Sequence, residues 1–387
     1  MSSALDTRSV HAGEPDPRIE GAVTTPIFQT ATFTHDNPEA PPRYIRYNNS
    51  PSHEALHEKL AALTQTEAAL VTASGMAAIS STLMSLLDAD DHLLAPRSLY
   101  GGTLSFLDQL LPRFEVEHTL VADESPEAWA EAIQPNTAVL YAESITNPLL
   151  EVSDLEGMVE FADAHGLTTV IDNTFGSPVN VRPAEFGFDV VLHSGTKYLG
   201  GHSDVAAGVV AGPSDLLDDV RQTAKSLGGT LDPHACFLLQ RSLKTLGVRV
   251  RQQNATAEAL ADALATHAGV ERVHHPSLSS HPHHERAKAL LDGYGGMVSL
   301  QMAPQAHTEA FFDALSLPLR APSLGGVETL VTQPIHTSHK NVDPAVREAL
   351  GITERLVRIS VGLEGSEDLV EDFEGALDAS LAAESST

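Results

Sequence analysis

Short apolar runs alternate with helical segments through most of the chain, and this alternation limits the possible folds more than any other feature of the sequence. The runs are Ala69–Thr72, His92–Ala95, Ala138–Tyr141, Thr168–Ile171, Asp189–Leu192 and Ala207–Val210. They are too short for helices and lack a polar face, the pattern of strands buried on both sides. Between them, apolar residues recur three and four apart, as at Leu56, Leu60 and Leu63. Strands alternating with helices predict an α/β fold with a mostly parallel sheet flanked by helices. Residues 233–267 read as one long helical stretch, broken near Gly247, which leads to a smaller unit with strands at 297–301 and 356–360. The first fifty residues are rich in Pro, Asn, Asp and Thr and lack helical periodicity. The expected organisation is an extended arm over 1–48 that packs on a second subunit, an α/β domain over 49–243, and a C-terminal domain over 244–387.

Charge and composition exclude several functions. Asp and Glu number 52 against 23 Lys and Arg, a formal net charge of -29, which repels nucleic acid and anionic membrane surfaces. No apolar stretch is long enough to span a bilayer. The first residues lack the basic and apolar regions of a secretory leader. One cysteine, Cys236, precludes an intramolecular disulfide and fits a reducing cytoplasm; with Phe237-Leu238-Leu239 after it, it reads as a small buried hydrophobe. The acids are dispersed, and lysine occurs only at 59, 197, 225, 244, 288 and 340. Such a surface suits a salt-rich cytoplasm, where screening shortens to roughly 3 Å at molar salt and self-repulsion becomes small. His274, His275, His281, His283 and His284 crowd one segment, but prolines separate the imidazoles. They read as a structural turn, with no metal site.

In an open α/β sheet, ligands bind beyond the carboxyl ends of the strands. Past the first run lies Ala73-Ser74-Gly75-Met76-Ala77, a small-residue turn opening a helix, where free N–H groups suit a phosphate. Past the fourth lies Asp172, followed by Asn173 and Thr174. Past the fifth come His193-Ser194-Gly195-Thr196-Lys197. A phosphate turn, a carboxylate and a lysine flanked by hydroxyls therefore converge on one rim. Pyridoxal 5'-phosphate (PLP) needs this set: an amine to join its aldehyde, an acid to keep its ring nitrogen protonated, and donors for its phosphate. Lys197 and Asp172 supply the first two, and Ser74, Gly75, Met76, Ser194 and Thr196 the donors. A plain salt-bridge role for Lys197 would leave the neighbouring hydroxyls and glycines unexplained.

The run His193-Ser194-Gly195-Thr196-Lys197-Tyr198-Leu199-Gly200-Gly201-His202-Ser203-Asp204 resembles the signature of the Cys/Met-metabolism PLP-dependent family. That family includes cystathionine γ-synthase, cystathionine γ- and β-lyases, methionine γ-lyase and O-acetylhomoserine sulfhydrylase. Thr7–Gly13, Ala22–Ile27, Val170–Phe175, Ser323–Leu330 and Arg358–Glu364 are similar to further family motifs, so the resemblance spans nearly the whole chain. It implies PLP-dependent transferase fold type I, with a seven-stranded sheet and a smaller α+β C-terminal domain, assembled as a dimer doubled into a tetramer. It also implies γ-replacement or γ-elimination on amino-acid substrates.

By the same resemblance, Tyr100 lies over the cofactor ring and transfers protons, and Tyr44 and Arg46 bind the phosphate of a neighbouring subunit's cofactor. Arg358, assisted by Ser323, clamps the substrate α-carboxylate, while Glu143 and Asn147 sit near the ring. Cystathionine γ-synthase or γ-lyase ranks first, O-acetylhomoserine sulfhydrylase second and methionine γ-lyase third; PLP-dependent transamination is the alternative of a different class. Three positions depart from relatives. Gly102 stands where methionine γ-lyases carry cysteine. Ser105 and Pro322 stand where cystathionine γ-synthases and γ-lyases commonly place an arginine and a glutamate. The arm motif Tyr44–Ser52 is one residue longer than the family's.

Overall fold

A computed structural model describes residues 4–122, 124–338, 340 and 344–383. Each apolar run forms a strand, and one further strand joins them. β1 (Ala68–Thr72), β2 (His92–Pro96), β3 (Glu117–Val121), β4 (Thr137–Glu143), β5 (Thr168–Asp172), β6 (Val190–Ser194) and β7 (Gly208–Gly212) form one sheet in the order β1-β7-β6-β5-β4-β2-β3. β3 escapes the sequence pattern because it is an edge strand. It pairs with β2 alone, and of its five residues only Val121 is buried; an edge needs no two-sided apolar run.

β7 runs antiparallel to both β6 and β1, and the remaining pairs are parallel. The carboxyl ends of β1, β4, β5 and β6 therefore share one rim. Gly208, the first residue of β7, pairs with both Thr72 at the end of β1 and Ser194 at the end of β6. The helices Pro51–Thr64, Gly75–Leu86 and Ser214–Leu227 pack on this sheet.

Two compact units divide the chain. The first comprises Met1–Arg97, Thr103–Ser144 and Asp154–Gly247, and holds the seven-stranded sheet. The second comprises Ser98–Gly102, Ile145–Ser153 and Val248–Thr387. Its sheet contains β8 (Val270–His274), β9 (Met297–Met302), β10 (Leu319–Arg320), β11 (Leu330–Thr332) and β12 (Leu356–Ser360), in the order β10-β11-β12-β9-β8. Val298, Leu300, Val357 and Ile359 face a core with Leu260, Leu264, Phe311 and Phe373. Alternation along the strands therefore turns Ser299, Arg358 and Ser360 to the opposite face. The long helical stretch is two helices, Pro233–Leu243 and Leu246–Leu264, parted at Lys244-Thr245. Among the described residues no helix is long and apolar enough to cross a membrane. Cys236 is fully buried, and burial pushes its thiol well up.

The N-terminal stretch departs from the extended arm expected of it. Leu5–His11 is a helix, with little regular structure from 22 to 43. Seven residues are too few to show a period and too few to hold a helix alone, so its stability comes from the rest of the first unit. The buried Ser9 carbonyl accepts a hydrogen bond from Lys59 Nζ at 2.9 Å. At Gly13, with φ +67°, the backbone passes so close to the helix Pro51–Thr64 that a Cβ would lie 2.0 Å from the Ala55 carbonyl oxygen.

Glu14 completes the attachment. Its carboxylate lies 2.7 Å from Lys244, 2.8 Å from Arg18 and 3.7 Å from Lys59. Burial raises the carboxyl's pKa, but these cations together hold it below its ordinary value. Burial also pushes Lys59 down to about 8. Glu14→Gln leaves the buried Lys59 ammonium without its counter-charge beside Lys244 and should cost about 3 kcal/mol in urea denaturation at pH 7. Because the folded pKa of Glu14 is depressed, its contribution is complete above the unfolded value near 4.5 and lost as pH falls through the folded one. The wild-type advantage over Glu14→Gln should therefore shrink on acidification.

Candidate active site

Asp172 ends β5, opposite Glu143 of β4 and Leu192 of β6. The Thr174 N–H donates to its Oδ1 at 2.9 Å, closing the local turn that aspartate favours. Burial raises the Asp172 carboxyl, opposed by hydrogen bonds from the Thr174 side chain and backbone, and the net direction is upward. A cation against this carboxylate would reverse that direction. Asp172 thus suits a partner that brings a positive charge, such as a protonated ring nitrogen.

Thr174 also reaches the lysine strand, since its Oγ1 accepts the Ser194 N–H at 2.7 Å. The turns that follow β5 and β6 are tied by one threonine. From there the chain winds tightly: Lys197 N–H donates to Ser194 O at 3.1 Å, Gly200 N–H to Gly195 O at 2.8 Å, and Gly201 N–H to Lys197 O at 2.7 Å. Thr196 fastens this turn to the segment leading into β7. Its hydroxyl accepts the Ala207 N–H at 3.0 Å and lies 3.3 Å from the Ala207 carbonyl. A phosphate would compete with that carbonyl for the hydroxyl proton. Lys197 is half-buried on this turn.

The helix Gly75–Leu86 begins beside the same turn. Ser74 caps it, its Oγ accepting the Ala77 N–H at 3.1 Å. The first N–H groups of a helix have no partner within it, so Gly75 and Met76 present donors at the positive end of its dipole. A Cβ on Gly75 would lie 3.0 Å from Ser194 Cβ, and one on Gly208 would lie 2.1 Å from the Ser74 carbonyl oxygen. Glycine is therefore what allows the helix start, the β6 exit and β7 to meet. The donor set of this rim, namely an amine, a buried carboxylate, hydroxyls and a helix N-terminus, fits PLP.

Tyr44 and Arg46 occupy exposed positions on the arm. The Arg46 guanidinium donates to the Lys225 carbonyl at 3.0 Å and packs on the rings of Tyr44 and Tyr47. Glu143, at the end of β4, is buried.

Tyr100, Asn147, Ser323 and Arg358 all belong to the second unit. Arg358 lies on the face of β12 turned away from the core, yet is only 4% exposed. It donates to Asn147 Oδ1 at 3.0 Å and to the Ser323 carbonyl at 3.1 Å. Ser323 thus meets the guanidinium through its carbonyl. Its φ of 95° is a strained setting for a residue with a side chain, fixed partly because Ser360 Oγ accepts the Gly325 N–H at 2.8 Å. Farther along, Thr329 donates to the Glu364 carboxylate from both its N–H and its hydroxyl, each at 2.7 Å. The two C-terminal sequence motifs thus brace each other. A guanidinium pinned on two sides by neutral acceptors can present a fork to a carboxylate. Tyr100 is 43% exposed. Among the described residues no group of three or more His, Cys, Asp or Glu side chains is placed to hold a metal ion.

The sequence reading missed two positioning residues in the first unit. One is Thr174, whose signal is a hydroxyl two residues past a strand-terminal aspartate. The other is Ser144, whose hydroxyl donates to the buried Asn173 Oδ1 at 2.7 Å and stiffens the same rim. Tyr141 lies beneath it, with its phenol raised well above the ordinary value by burial, then by Asp172 and Glu143.

Comparison with known proteins agrees with this chemistry. The Cys/Met metabolism PLP-dependent enzyme family matches residues 6–378. The chain is 39% identical over 377 residues to cystathionine gamma-lyase of Bacillus subtilis, covering 96% of this chain and 98% of that one. It is 40% identical over 387 residues to L-methionine gamma-lyase of Pseudomonas putida, covering 97% of each. Among solved structures, cystathionine gamma synthase of Xanthomonas oryzae pv. oryzae, in complex with aminoacrylate and cysteine, superposes with a TM-score of 0.94 at 35% identity, covering 98% of this chain and 99% of that one. With a likeness that spans the chain and a rim whose donors fit the cofactor, the protein belongs to the Cys/Met metabolism PLP-dependent enzyme family, has its fold type I architecture, and uses pyridoxal phosphate.

Proposed function

We propose that this enzyme makes or breaks carbon–sulfur bonds at the γ-carbon of amino acids, by γ-elimination or γ-replacement on cystathionine or homoserine esters, in the manner of a cystathionine γ-synthase or γ-lyase. The observation that carries the reading is the tie Asp172–Thr174–Ser194, which locks the acid and the lysine turn into one rigid rim. Bound PLP supplies an electron sink for the charge that develops when the α-proton leaves. Lys197 Nζ would hold the cofactor's aldehyde and would carry the substrate's α-proton. The Asp172 carboxylate keeps the ring nitrogen protonated. Ser74, Gly75, Met76, Ser194 and Thr196 bind the phosphate, and Glu143 stands near the ring. Arg358 and the Asn147 amide N–H bind the α-carboxylate, the Ser323 carbonyl holds the guanidinium in place, and the Tyr100 hydroxyl moves a proton at the leaving group. The relatives' names, which are cystathionine and methionine lyases and synthases, support sulfur amino acids as substrates.

In the same reading the enzyme is a homotetramer of paired dimers. Tyr44 and Arg46 of one copy reach the phosphate held by its neighbour, so each site is shared. It works in the cytoplasm, and its net charge of -29 suits high salt.

A second reading, O-acetylhomoserine sulfhydrylase, rests on Ser105 and Pro322. Ser105 is half-buried and Pro322 exposed, and neither can grip the amine and carboxylate at the far end of cystathionine. Leaving such groups unpaired costs roughly 1–3 kcal/mol, so a smaller nucleophile is favoured.

Three outcomes are expected. The purified protein is yellow, and borohydride followed by peptide mapping places the cofactor on Lys197; a label on another lysine, or none, would overturn the assignment. Inactive Arg46→Ala and Lys197→Ala proteins regain partial activity when mixed, because exchanged subunits form one intact site per mixed dimer; proven exchange without recovery would place both residues in one subunit's site. The wild type discriminates weakly between cysteine and sulfide, and Ser105→Arg with Pro322→Glu raises its preference for cysteine, measured as the ratio of kcat/KM. A wild-type preference of several orders of magnitude would show that other residues hold the distal end.

A further inference from the structure

The segment Ile145–Ser153 of the second unit carries Asn147 and is bent into a closed loop. Ile145 and Val152 form an antiparallel bridge across its base. Inside it, the Thr146 N–H donates to Glu151 O at 2.9 Å and the Glu151 N–H to Thr146 Oγ1 at 3.1 Å, while Leu150 takes a φ of 60°. At its tip, Ser299 Oγ donates to the Pro148 carbonyl at 2.6 Å.

Val152, only 1% exposed, is gripped on both backbone groups. Its carbonyl accepts a hydrogen bond from Arg286 NH1 at 2.9 Å, and its N–H donates to His283 Nδ1 at 3.0 Å. That second bond sets a condition on the imidazole, because Nδ1 can accept only while it carries no proton. A proton there would point one donor at another, and the Val152 N–H is too buried to turn to water.

We propose that His283 is a positioning residue for the substrate carboxylate, holding the Asn147 loop closed while its ring is neutral and loosening it when protonated. This rests on Arg358 and Asn147 binding that carboxylate. Asn147 Oδ1 accepts from Arg358 NH1, so a loop that drifts leaves the guanidinium less well aimed. The groups around His283 favour the neutral ring. Burial and then Arg286 lower its pKa, while Glu151 and the backbone bond to Val152 raise it, with the net below the ordinary 6.5. His281 precedes it, with ring centroids 5.9 Å apart, and its Nδ1 accepts the His283 N–H at 3.2 Å. His281 is itself lowered to about 4 by burial and then by His283, with smaller effects from His274 and His284. His274, like His281 and His283, is pushed down by burial, so these three rings favour the neutral form. Because the folded pKa of His283 is depressed, the latch is complete above the free imidazole value near 6.5 and fails as pH falls through the folded one.

The test uses the PLP-loaded enzyme and two readouts from pH 8 down to the lowest pH at which the holoenzyme stays folded. One is hydrogen exchange of peptides spanning 145–153, corrected for intrinsic rates. The other is the dissociation constant of L-norvaline, which has the α-carboxylate and amine but no γ leaving group, read from cofactor absorbance. n-Butylamine, which lacks the carboxylate, serves as the control. In the wild type, acidification should speed exchange at the loop and weaken norvaline relative to butylamine by roughly 5- to 10-fold, the weight of one lost hydrogen bond to a buried amide. His283→Asn keeps an acceptor near Nδ1 that does not titrate, and should flatten both acid limbs while keeping tight binding. His283→Ala should show fast exchange and weak norvaline binding at every pH. If that variant does not fold, the comparison of His283→Asn with wild type decides alone. Identical acid limbs in these two proteins would overturn the proposal. Arg358→Lys tests the underlying reading separately: if it leaves norvaline binding unchanged, the carboxylate assignment fails and the proposal with it, whereas weakened binding together with identical acid limbs refutes the latch alone.

Discussion

The rim of the first unit depends on the close passage of three backbones at Gly208. β7 lies between β1 and β6 and pairs with both, so the exits of two distant strands are held a fixed two ladder spacings apart, roughly 10 Å. The Ser74 carbonyl and the Thr72 hydroxyl occupy the space a side chain at 208 would need. With that space filled by backbone, the helix Gly75–Leu86 can begin directly against Ser194. A positive helix end and the lysine turn then become neighbours without any side chain bridging them. Thr174 adds the third exit by bonding to Asp172 on one side and Ser194 on the other. The rim is therefore held mainly by backbone hydrogen bonds and small residues.

The second unit solves a different problem, which is how to bury an arginine. Strand alternation gives β12 an apolar face for the core and a polar one carrying Arg358 and Ser360. Covering that polar face with Asn147, Pro148 and the strained Ser323 turn excludes water while supplying acceptors, so the charge is oriented as well as buried. A buried guanidinium is costly without such partners, which is one physical reason for the tolerated φ at Ser323.

Most of the large sheet was legible in the sequence because two-sided burial leaves continuous apolar runs, and the chemistry was legible because strand exits are where an α/β sheet displays it. The strand exits that carry Asp172 and the Lys197 turn could be read from where the apolar runs end. β3, β8, β10 and β11 were not legible: β3 and β8 are edge strands with polar residues, and β10 and β11 are two and three residues long. The helix Leu5–His11 was invisible because its stability comes from Lys59, Glu14 and the close approach at Gly13, none of which leaves a local pattern. Arg358, Asn147 and Ser323 were reached only through resemblance. No periodicity links residues whose bonds join positions 35 and 211 apart in the chain.

The second unit also draws in Ser98–Gly102 and Ile145–Ser153, which lie in the first half of the chain. On a ribosome adding roughly 5–20 residues per second, Asn147 emerges about 10–40 seconds before Arg358, which follows it by 211 residues. Until β9 follows it the loop lacks Ser299, which holds its Pro148 carbonyl, and neither half of the chain carries a complete second unit. The gene therefore cannot be cut at the junction near residue 247 into two self-sufficient modules. A chain cut there would leave the residues after 247 without Asn147, which accepts a hydrogen bond from Arg358.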